Sequence, residues 1–324
     1  MAKRKLSHQQ SRRIKKAQQS IDLTHPDNLL GRVISHHGGE VEVEQEDKTQ
    51  KNIHCKFRTN LGALVCGDQV IYRLNEIDPS IIAIQPRDNL LRRVDGFGNI
   101  KSVAANVTQL LICLSVEPEP NLFLLDQYLL SAEQQHIEVL IILNKVDLLP
   151  EDYSDPFELS SIYQNIGYQI LYTSMKTQQQ IDTLQLHCVD YVNVISGVSG
   201  VGKSSLTNAI LPDIKIQVGE ISEVSKEGRH TTRTSRLYHL PKGGELIDTP
   251  GVRGFNPVFD PEKTIASGFR EINEYAQECQ FSNCKHINEP KCAVLSSLKS
   301  GVIHQSRYDS YVKLFMENKS SSPR

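Results

Sequence analysis

The chain has 324 residues, of which 39% are hydrophobic, and its 36 Lys and Arg residues nearly balance 38 Asp and Glu residues. This composition supports two or three packed domains and excludes a wholly disordered, fibrous or membrane-spanning protein. The odd count of seven cysteines and the absence of an apolar leader argue against a disulfide framework. We therefore predict a cytoplasmic protein whose thiols are free or bound to metal.

The positive charge is concentrated at the start of the chain. Residues 1–16 contain no acid and seven basic side chains, namely Lys3, Arg4, Lys5, Arg12, Arg13, Lys15 and Lys16. The remaining residues hold 29 basic against 38 acidic side chains, a balance of −9. We predict a flexible basic tail over residues 1–29, which serves either as a contact for RNA phosphates or as a solubilising terminus.

Residues 30–88 have the pattern of a small β-barrel. Short segments rich in β-branched residues occur at 32–34, 41–43, 69–72 and 81–84, separated by turn residues. Four or five strands in fewer than sixty residues are typical of such a barrel. We favour an OB-fold, although an SH3-like barrel would give nearly the same pattern.

Residues 89–256 alternate between apolar strands and helices. Strands are predicted at 110–116, 139–143, 169–172, 192–195, 236–240 and 245–247, with helices at 122–136 and from Lys203. Such alternation predicts an α/β domain with a largely parallel sheet. Residues 257–324 are helical in pattern around a group of Cys and His residues, and we predict that they form a third, helical domain.

A complete G-x-x-x-x-G-K-S motif follows the strand that ends near residue 195. It consists of Gly197, Val198, Ser199, Gly200, Val201, Gly202, Lys203 and Ser204, and Ser205 continues into a helix. The glycines allow backbone N–H groups to surround a β-phosphate, Lys203 neutralises the β and γ oxygens, and Ser204 binds Mg²⁺. The motif predicts a nucleoside triphosphate site.

Two further motifs complete the nucleotide site, and one of them selects guanine. Asp248-Thr249-Pro250-Gly251 places a carboxylate at a strand end, where it can hold Mg²⁺ through water while Gly251 approaches the γ-phosphate. Asn144-Lys145-Val146-Asp147 supplies a carboxylate that accepts hydrogen bonds from guanine N1–H and its exocyclic amine. Each motif alone could be an ordinary turn or polar loop, but together with the phosphate loop they predict a GTP site.

The order of the motifs is unusual for a Ras-like GTPase, in which the phosphate loop comes first. Here Asn144–Asp147 and a candidate base loop, Thr173-Ser174-Met175, both precede the phosphate loop. This order predicts a circularly permuted domain, in which the segment after Asp248-Thr249-Pro250-Gly251 leads directly into the C-terminal region. A nucleotide-driven movement of that segment would therefore reach whatever follows.

The residues that activate water are less clearly marked. Either Thr231 or Thr232 is expected to sense the γ-phosphate and Mg²⁺. Val252 follows Gly251, so the glutamine that often positions water is missing. We predict slow intrinsic hydrolysis and name His230 as the candidate that orients or deprotonates water, the alternative being that it only packs within the switch.

A cysteine-rich cluster lies near the C-terminus. Cys279, Cys284, His286 and Cys292 supply three thiolates and one imidazole within fourteen residues. Four such ligands suit a closed tetrahedral Zn²⁺ site, which would be structural because no coordination position is left open. The alternative is a group of ordinary buried thiols beside an exposed histidine.

With these residues in place, the chain resembles the RsgA (YjeQ-type) family of circularly permuted GTPases from about Gly31 to Tyr311. Besides the motifs above, the match includes Cys66-Gly67-Asp68, Pro118-Glu119-Pro120-Asn121-Leu122, His230-Thr231-Thr232 and Arg307-Tyr308-x-x-Tyr311. The resemblance implies an OB-fold, a permuted GTPase domain and a zinc domain. It also implies GTP and GDP, Mg²⁺ and one Zn²⁺ as bound groups.

The same resemblance implies that the small ribosomal subunit and its rRNA are the partners. GTP hydrolysis stimulated by that subunit would time a late step of its maturation and the release of the enzyme. Two alternatives remain open: an RNA-binding assembly chaperone that uses nucleotide only as a conformational switch, and a permuted GTPase of the large subunit. We expect a monomer without membrane association.

Overall fold

The computed structural model describes residues 25, 27–37, 40–46, 51–57, 61–74, 78–95, 98–212, 235–249, 256–259 and 263–321. Within these ranges the strands are β1 Leu29–His37, β2 Glu40–Gln45, β3 Ile53–Phe57, β4 Gln69–Arg73, β5 Ser80–Ile84, β6 Leu90–Val94, β7 Ile100–Ala105, β8 Gln109–Ser115, β9 Glu138–Asn144, β10 Gln169–Tyr172, β11 Val192–Ser196, β12 Arg236–His239, β13 Glu245–Asp248 and β14 Asn256–Pro257. The α-helices are α1 Leu122–Gln134, α2 Ile181–His187, α3 Lys203–Ile210, α4 Arg270–Ala276, α5 Ala293–Lys299 and α6 Gln305–Ser321.

Strands β1 to β5 form the predicted barrel. Their order is β1-β2-β3-β5-β4, and pairing of β4 with β1 closes the ring. The pairing of β3 with β5 is parallel while the other pairs are antiparallel. This order is that of an OB-fold rather than an SH3-like barrel, so the favoured prediction is confirmed. The barrel core is apolar, with Val33, Val41, Val43 and Val70 fully buried.

The central sheet has the strand order β10-β9-β8-β11-β13-β12, with all pairs parallel except β12 with β13. Strand β8 has no exposed residue along its seven positions, as expected for a parallel strand covered on both faces. One apolar cluster packs α1 against the sheet and a second packs α2 and α3 against the opposite face. The strands and helices predicted for this domain are confirmed, and each predicted end lies within two residues of the observed one.

The barrel and the central sheet are joined through β1 and β12. Ser35 pairs with Arg236 across the two strands, and the Cys66 thiol donates to the carbonyl oxygen of Ser235 at 3.0 Å. Polar side chains reinforce the junction, and we call them the ionic seam: Arg32, Glu42, Glu44, Arg236, His239 and Glu245.

Several elements were not predicted from the sequence, helix α2 among them. Strands β6 and β7 form a hairpin extended by β14, so that residues 256–257 add to a separate three-stranded sheet. Strand β3, which lies between β2 and β5 in the barrel, was also not predicted.

The C-terminal unit, residues 263–321, is helical as predicted. It consists of α4, α5, α6 and a short 3₁₀ turn at Ile265–Gly268, packed around Phe269, Ile272, Val294 and Tyr311. This unit covers α1, whose Leu130 belongs to the same apolar cluster. No helix among the described residues is long and apolar enough to cross a membrane.

Candidate nucleotide site and metal centre

The G-x-x-x-x-G-K-S residues form a loop between β11 and α3. Gly197, Gly200 and Gly202 all adopt positive φ angles, of 140°, 85° and 94°. A side chain would fit poorly at two of them, since a Cβ on Gly197 would lie 2.1 Å from the Cys113 carbonyl oxygen and one on Gly202 would lie 2.2 Å from Asn144 Nδ2. The loop therefore requires glycine for both backbone conformation and space.

Lys203 begins α3 and is 5% exposed. Its Nζ donates a hydrogen bond to the carbonyl oxygen of Val198, across the mouth of the loop. An ammonium held over a ring of backbone N–H groups at a helix N-terminus is the arrangement that binds phosphate. Beneath the loop lies Cys113, where burial raises the pKa of the thiol to about 12, so this sulfur is not a nucleophile at neutral pH.

The Asn144–Asp147 motif lies beside this loop. Asn144 ends β9, and its Nδ2 donates to the carbonyl oxygen of Val201 at 2.9 Å. Its Oδ1 accepts a hydrogen bond of 3.2 Å from Thr173 Oγ1. Asn144, Thr173 and Ser174 are all buried, so their contacts fix the base motif against the phosphate loop.

The base loop and Asp147 contact one another directly. Ser174 Oγ donates a hydrogen bond to Asp147 Oδ1 at 2.6 Å. Lys176 Nζ lies 3.9 Å from Asp147 Oδ2. Ser174 therefore orients the Asp147 carboxylate, the group that the sequence predicts to accept hydrogen bonds from guanine.

Lys145 has a left-handed backbone, with φ 62° and ψ 34°. Its Nζ donates to the carbonyl oxygen of Glu117 at 2.6 Å. The loop formed by residues 117–121 thus lies against the Asn144–Asp147 motif on one side, and Pro118 lies against Gly200 on the other. Asn121 ends this loop by accepting a 3.0 Å hydrogen bond from the backbone N–H of Leu124, which caps α1.

Asp248 ends β13, which runs parallel to β11 with Val194 opposite Ile247. Since β11 leads into the phosphate loop, the carboxylate of Asp248 emerges at the same edge of the sheet as Ser204. His230, Thr231, Thr232 and Gly251 lie outside the described residues, so their predicted roles stay predictions.

Cys279, Cys284, His286 and Cys292 converge so that their ligand atoms all lie within 4.8 Å of one another. His286 Nδ1 is 3.5 Å from the Sγ atoms of both Cys279 and Cys292, and those two sulfurs are 3.8 Å apart. Zn–S bonds near 2.3 Å and Zn–N bonds near 2.0–2.1 Å in a tetrahedron give S–N and S–S separations of about 3.5 and 3.8 Å. The donor set and its spacing fit zinc.

The protonation chemistry of this cluster also fits a cation. Burial lowers the pKa of His286, so its imidazole is neutral at pH 7, the form that binds metal. Burial raises the pKa of the Cys292 thiol to about 12 in the absence of metal. A divalent cation is what would stabilise the thiolates here.

Contacts from α6 and one acidic side chain hold the loop that carries the ligands. Tyr308 and Tyr311 each donate a 2.8 Å hydrogen bond, to the carbonyl oxygens of His286 and Lys285. Partial burial alone would raise the pKa of Glu289, but backbone N–H groups that include those of Lys285 and Ile287 lower it to about 2. The ligand loop is thus fixed by groups that do not touch the ligand atoms.

A second possible metal cluster, Glu44, His239 and Glu245, belongs to the ionic seam. Arg32 bonds both carboxylates, and His239 Nε2 lies 2.5 Å from Glu44 Oε1. These side chains are already bonded to one another and to Arg32, and we assign no metal to them.

Several contacts at these sites could not be found by sequence reasoning. The contact of Lys145 with Glu117 and that of Thr173 with Asn144 join residues about 28 positions apart. Residues Pro118–Asn121 and Tyr308 lie in segments that carry the family resemblance, but the sequence alone assigned no role to them.

The chain is similar to known proteins in both sequence and structure. A family model described as RsgA GTPase matches residues 84–257. A protein of Chromohalobacter salexigens named small ribosomal subunit biogenesis GTPase RsgA is 42% identical, over 96% of this chain and 97% of its own length. Proteins of the same name from Saccharophagus degradans and Hahella chejuensis are 39% and 40% identical, each over 97% of this chain and over 97% and 96% of their own lengths.

Solved structures agree. The crystal structure of YjeQ from Thermotoga maritima superposes with a TM-score of 0.74 at 33% identity, covering 91% of this chain and 100% of that one. That of YloQ, described as a circularly permuted GTPase, gives a TM-score of 0.72 at 31% identity, with 94% and 100% coverage.

Proposed function

The chain belongs to the RsgA family of circularly permuted GTPases, and on that premise we propose that it binds the small ribosomal subunit and hydrolyses GTP to time a late step of its maturation. Hydrolysis would also release the enzyme from the subunit. The observation that carries the proposal is the hydrogen bond from Asn144 to Val201, because it joins a guanine-reading motif to a phosphate loop that comes later in the chain.

In this proposal the base is read by Asp147, oriented by Ser174, with Asn144, Lys145 and Val146 forming the loop around it. The phosphates occupy the loop from Gly197 to Ser205, where Lys203 exchanges its bond to the Val198 carbonyl for the β and γ oxygens. Ser204 and Asp248 would hold Mg²⁺, which supplies charge neutralisation of the phosphates when bound. Backbone N–H groups of the loop stabilise the same charge.

Hydrolysis needs a positioned water molecule. We keep His230 as the candidate that orients or deprotonates it, and Thr231 or Thr232 together with Gly251 as the groups that recognise the γ-phosphate. Turnover by the free enzyme is expected to be slow, since Val252 stands where a water-positioning glutamine often occurs.

The partner assignment extends from the relatives to this chain. Those relatives are named for biogenesis of the small ribosomal subunit. A small barrel and a basic N-terminal segment in the same chain support contact with rRNA. We infer that the C-terminal unit carries one structural Zn²⁺ held by Cys279, Cys284, His286 and Cys292, and that the protein works as a cytoplasmic monomer.

The test is GTP turnover by the full chain alone, with isolated small subunits, with large subunits and with free rRNA. We expect stimulation by small subunits only, and none for Lys203→Ala, which serves as the control for contaminating hydrolases. Equal stimulation by large subunits, or none by small subunits, would overturn the proposal. Subunit maturation that proceeds equally with Lys203→Ala would favour an assembly chaperone.

A further inference from the structure

Two arginines of the C-terminal unit bind carboxylates of helix α1 in the same way. Arg307 donates from Nη1 to Asp126 Oδ1 at 2.6 Å and lies 5.5 Å from the centre of the Tyr163 ring. Arg270 donates from Nε to Glu133 Oε1 at 2.6 Å and lies 4.0 Å from the centre of the Tyr168 ring. Each arginine therefore joins one α1 carboxylate to one tyrosine of the segment that precedes β10.

The tyrosines close both arrangements. Tyr163 Oη donates to Asp126 Oδ1 at 2.9 Å, and Tyr168 Oη donates to Glu133 Oε1 at 3.0 Å. We call the two sets the arginine clamps: Arg307, Asp126 and Tyr163 form the first, and Arg270, Glu133 and Tyr168 form the second. Asp126 and Glu133 are seven residues apart, which is nearly two helical turns, so both lie on one face of α1.

The first clamp is desolvated. Arg307 and Asp126 are each 1% exposed, and Glu271 of α4 takes the rest of the guanidinium through bonds of 2.8 and 3.2 Å. Phe269 lies 4.5 Å from the guanidinium carbon. A buried arginine with this many partners has one geometry, so α1 and the C-terminal unit cannot slide past each other without breaking charged hydrogen bonds.

The contact between α1 and the C-terminal unit is also close at backbone level. A Cβ on Gly268 would lie 2.0 Å from Leu130 Cδ1 and 2.9 Å from its Cα. Lys263 donates to the carbonyl oxygen of Gln134 at the end of α1. The C-terminal unit thus holds α1 from Asp126 to Gln134.

The other end of α1 reaches the nucleotide site. Asn121 caps the helix, and the loop of residues 117–121 that leads into it contacts Lys145 and lies against Gly200. If this loop shifted on exchange of GDP for GTP, it would move the N-terminus of a helix that is clamped to the C-terminal unit.

We propose that α1 and the two arginine clamps transmit the state of the nucleotide site to the zinc-bearing C-terminal unit, with Arg270 and Arg307 as positioning residues for the partner-stimulated reaction. The inference rests on the proposed function, because it assigns how that stimulation reaches the site. The arginines touch neither nucleotide nor reacting atoms. They act on the coupling between two sites. Coupling of this kind typically changes the affinity at one site 5- to 150-fold when the other site is occupied.

The test uses the full chain with two variants, Arg270→Met and Arg307→Lys. Arg270→Met removes the charge, whereas Arg307→Lys keeps the charge but loses the planar guanidinium. Lys299→Met is the matched control, since it removes an exposed cation of the same unit away from α1. We expect both clamp variants to keep their zinc content, basal kcat and KM for GTP while stimulation by small subunits falls about tenfold. Full stimulation in both variants, or an equal loss of basal and stimulated turnover, would overturn the inference.

A second measurement needs no ribosome. Hydrogen exchange of the wild type with GDP and with a non-hydrolysable GTP analogue should differ in α1 and α6, and Arg307→Lys should remove the difference in α6 alone. An unchanged α6 in the wild type would refute the coupling. A wild type that responds to nucleotide but not to small subunits would instead refute the proposed function.

Discussion

The side chain of Asn144 donates a 2.9 Å hydrogen bond to the carbonyl oxygen of Val201, although 57 positions separate the two residues along the chain. In a domain whose phosphate loop came first, the same contact would run from a late residue to an early one. Permutation reverses the order of the partners and leaves the contact, because β9 and β11 both flank β8 and end at the same edge of the sheet. The geometry of the site depends on strand order in space rather than on strand order in sequence.

Gly202→Ala should abolish tight nucleotide binding. The new Cβ would lie 2.2 Å from Asn144 Nδ2, at a position whose φ is 94°. Left-handed backbone strain and a displaced amide together should cost about 3 kcal/mol, or roughly 100-fold in GDP affinity measured by titration calorimetry. Gly301→Ala is the control, because it has φ 76° with nothing within 4 Å and lies in the C-terminal unit. Equal affinities for the two variants would contradict the assigned role of Asn144.

Asp147→Asn should change which base the protein accepts. A carboxylate accepts from both guanine donors, whereas the asparagine amide presents a donor that suits the 2-oxo group of xanthine. We expect GDP affinity to fall at least about 100-fold and affinity for xanthosine diphosphate to rise, both measured by fluorescence titration. Asp152→Asn, an exposed acid in the following loop, should leave both affinities unchanged. Undiminished preference for GDP in Asp147→Asn would place the base elsewhere.

Local pattern made most of the central domain predictable from sequence. Strand β8 is apolar at five consecutive positions from Leu110 to Leu114, and the motif glycines adopt the positive φ angles that their chemistry implies. The cysteine cluster was likewise found from ligand type and spacing, and its donors converge as expected. In each case the information lies within a few neighbouring residues.

The unpredicted strands differ in their local signal. Strand β3 alternates exposed His54 and Lys56 with apolar residues, which is the pattern of a half-buried strand and makes β3 predictable in principle. Strand β6 carries Arg92 and Arg93 and shows neither alternation nor an apolar run. In the arginine clamps each arginine lies more than 130 positions from its carboxylate, 137 for Arg270 and Glu133 and 181 for Arg307 and Asp126. Contacts between residues so far apart in the sequence arise from tertiary packing, which no local pattern encodes.

Zinc removal should separate the C-terminal unit from nucleotide binding. We expect one Zn²⁺ per chain by elemental analysis, lost in Cys292→Ser or on chelation, with unfolding of residues 263–321 seen by hydrogen exchange. Structural zinc contributes about 10–16 kcal/mol to its site in small zinc domains, so the unit has little stability without it. GDP should still bind to the central domain, because no metal ligand touches the phosphate loop. Cys188→Ser, a buried thiol of the central domain, should keep its zinc; if it does not, the thiols that hold the metal have been misassigned.

The ionic seam should make the protein less stable in acid through Glu44. Partial burial on its own would raise the pKa of this carboxyl, but hydrogen bonds from His239 and Arg32 hold it below its usual value of 4.5. A carboxyl whose pKa is lower in the folded state stabilises the fold above its unfolded pKa and loses that contribution as pH falls through the folded one. Glu44→Gln should therefore unfold at a lower urea concentration than the wild type at pH 7, and the difference should shrink below pH 4.5. Glu40→Gln, an exposed acid on the same strand, should match the wild type at every pH. A difference for Glu44→Gln that is as large at pH 3.5 as at pH 7 would show that the lost contact is one of packing rather than of charge.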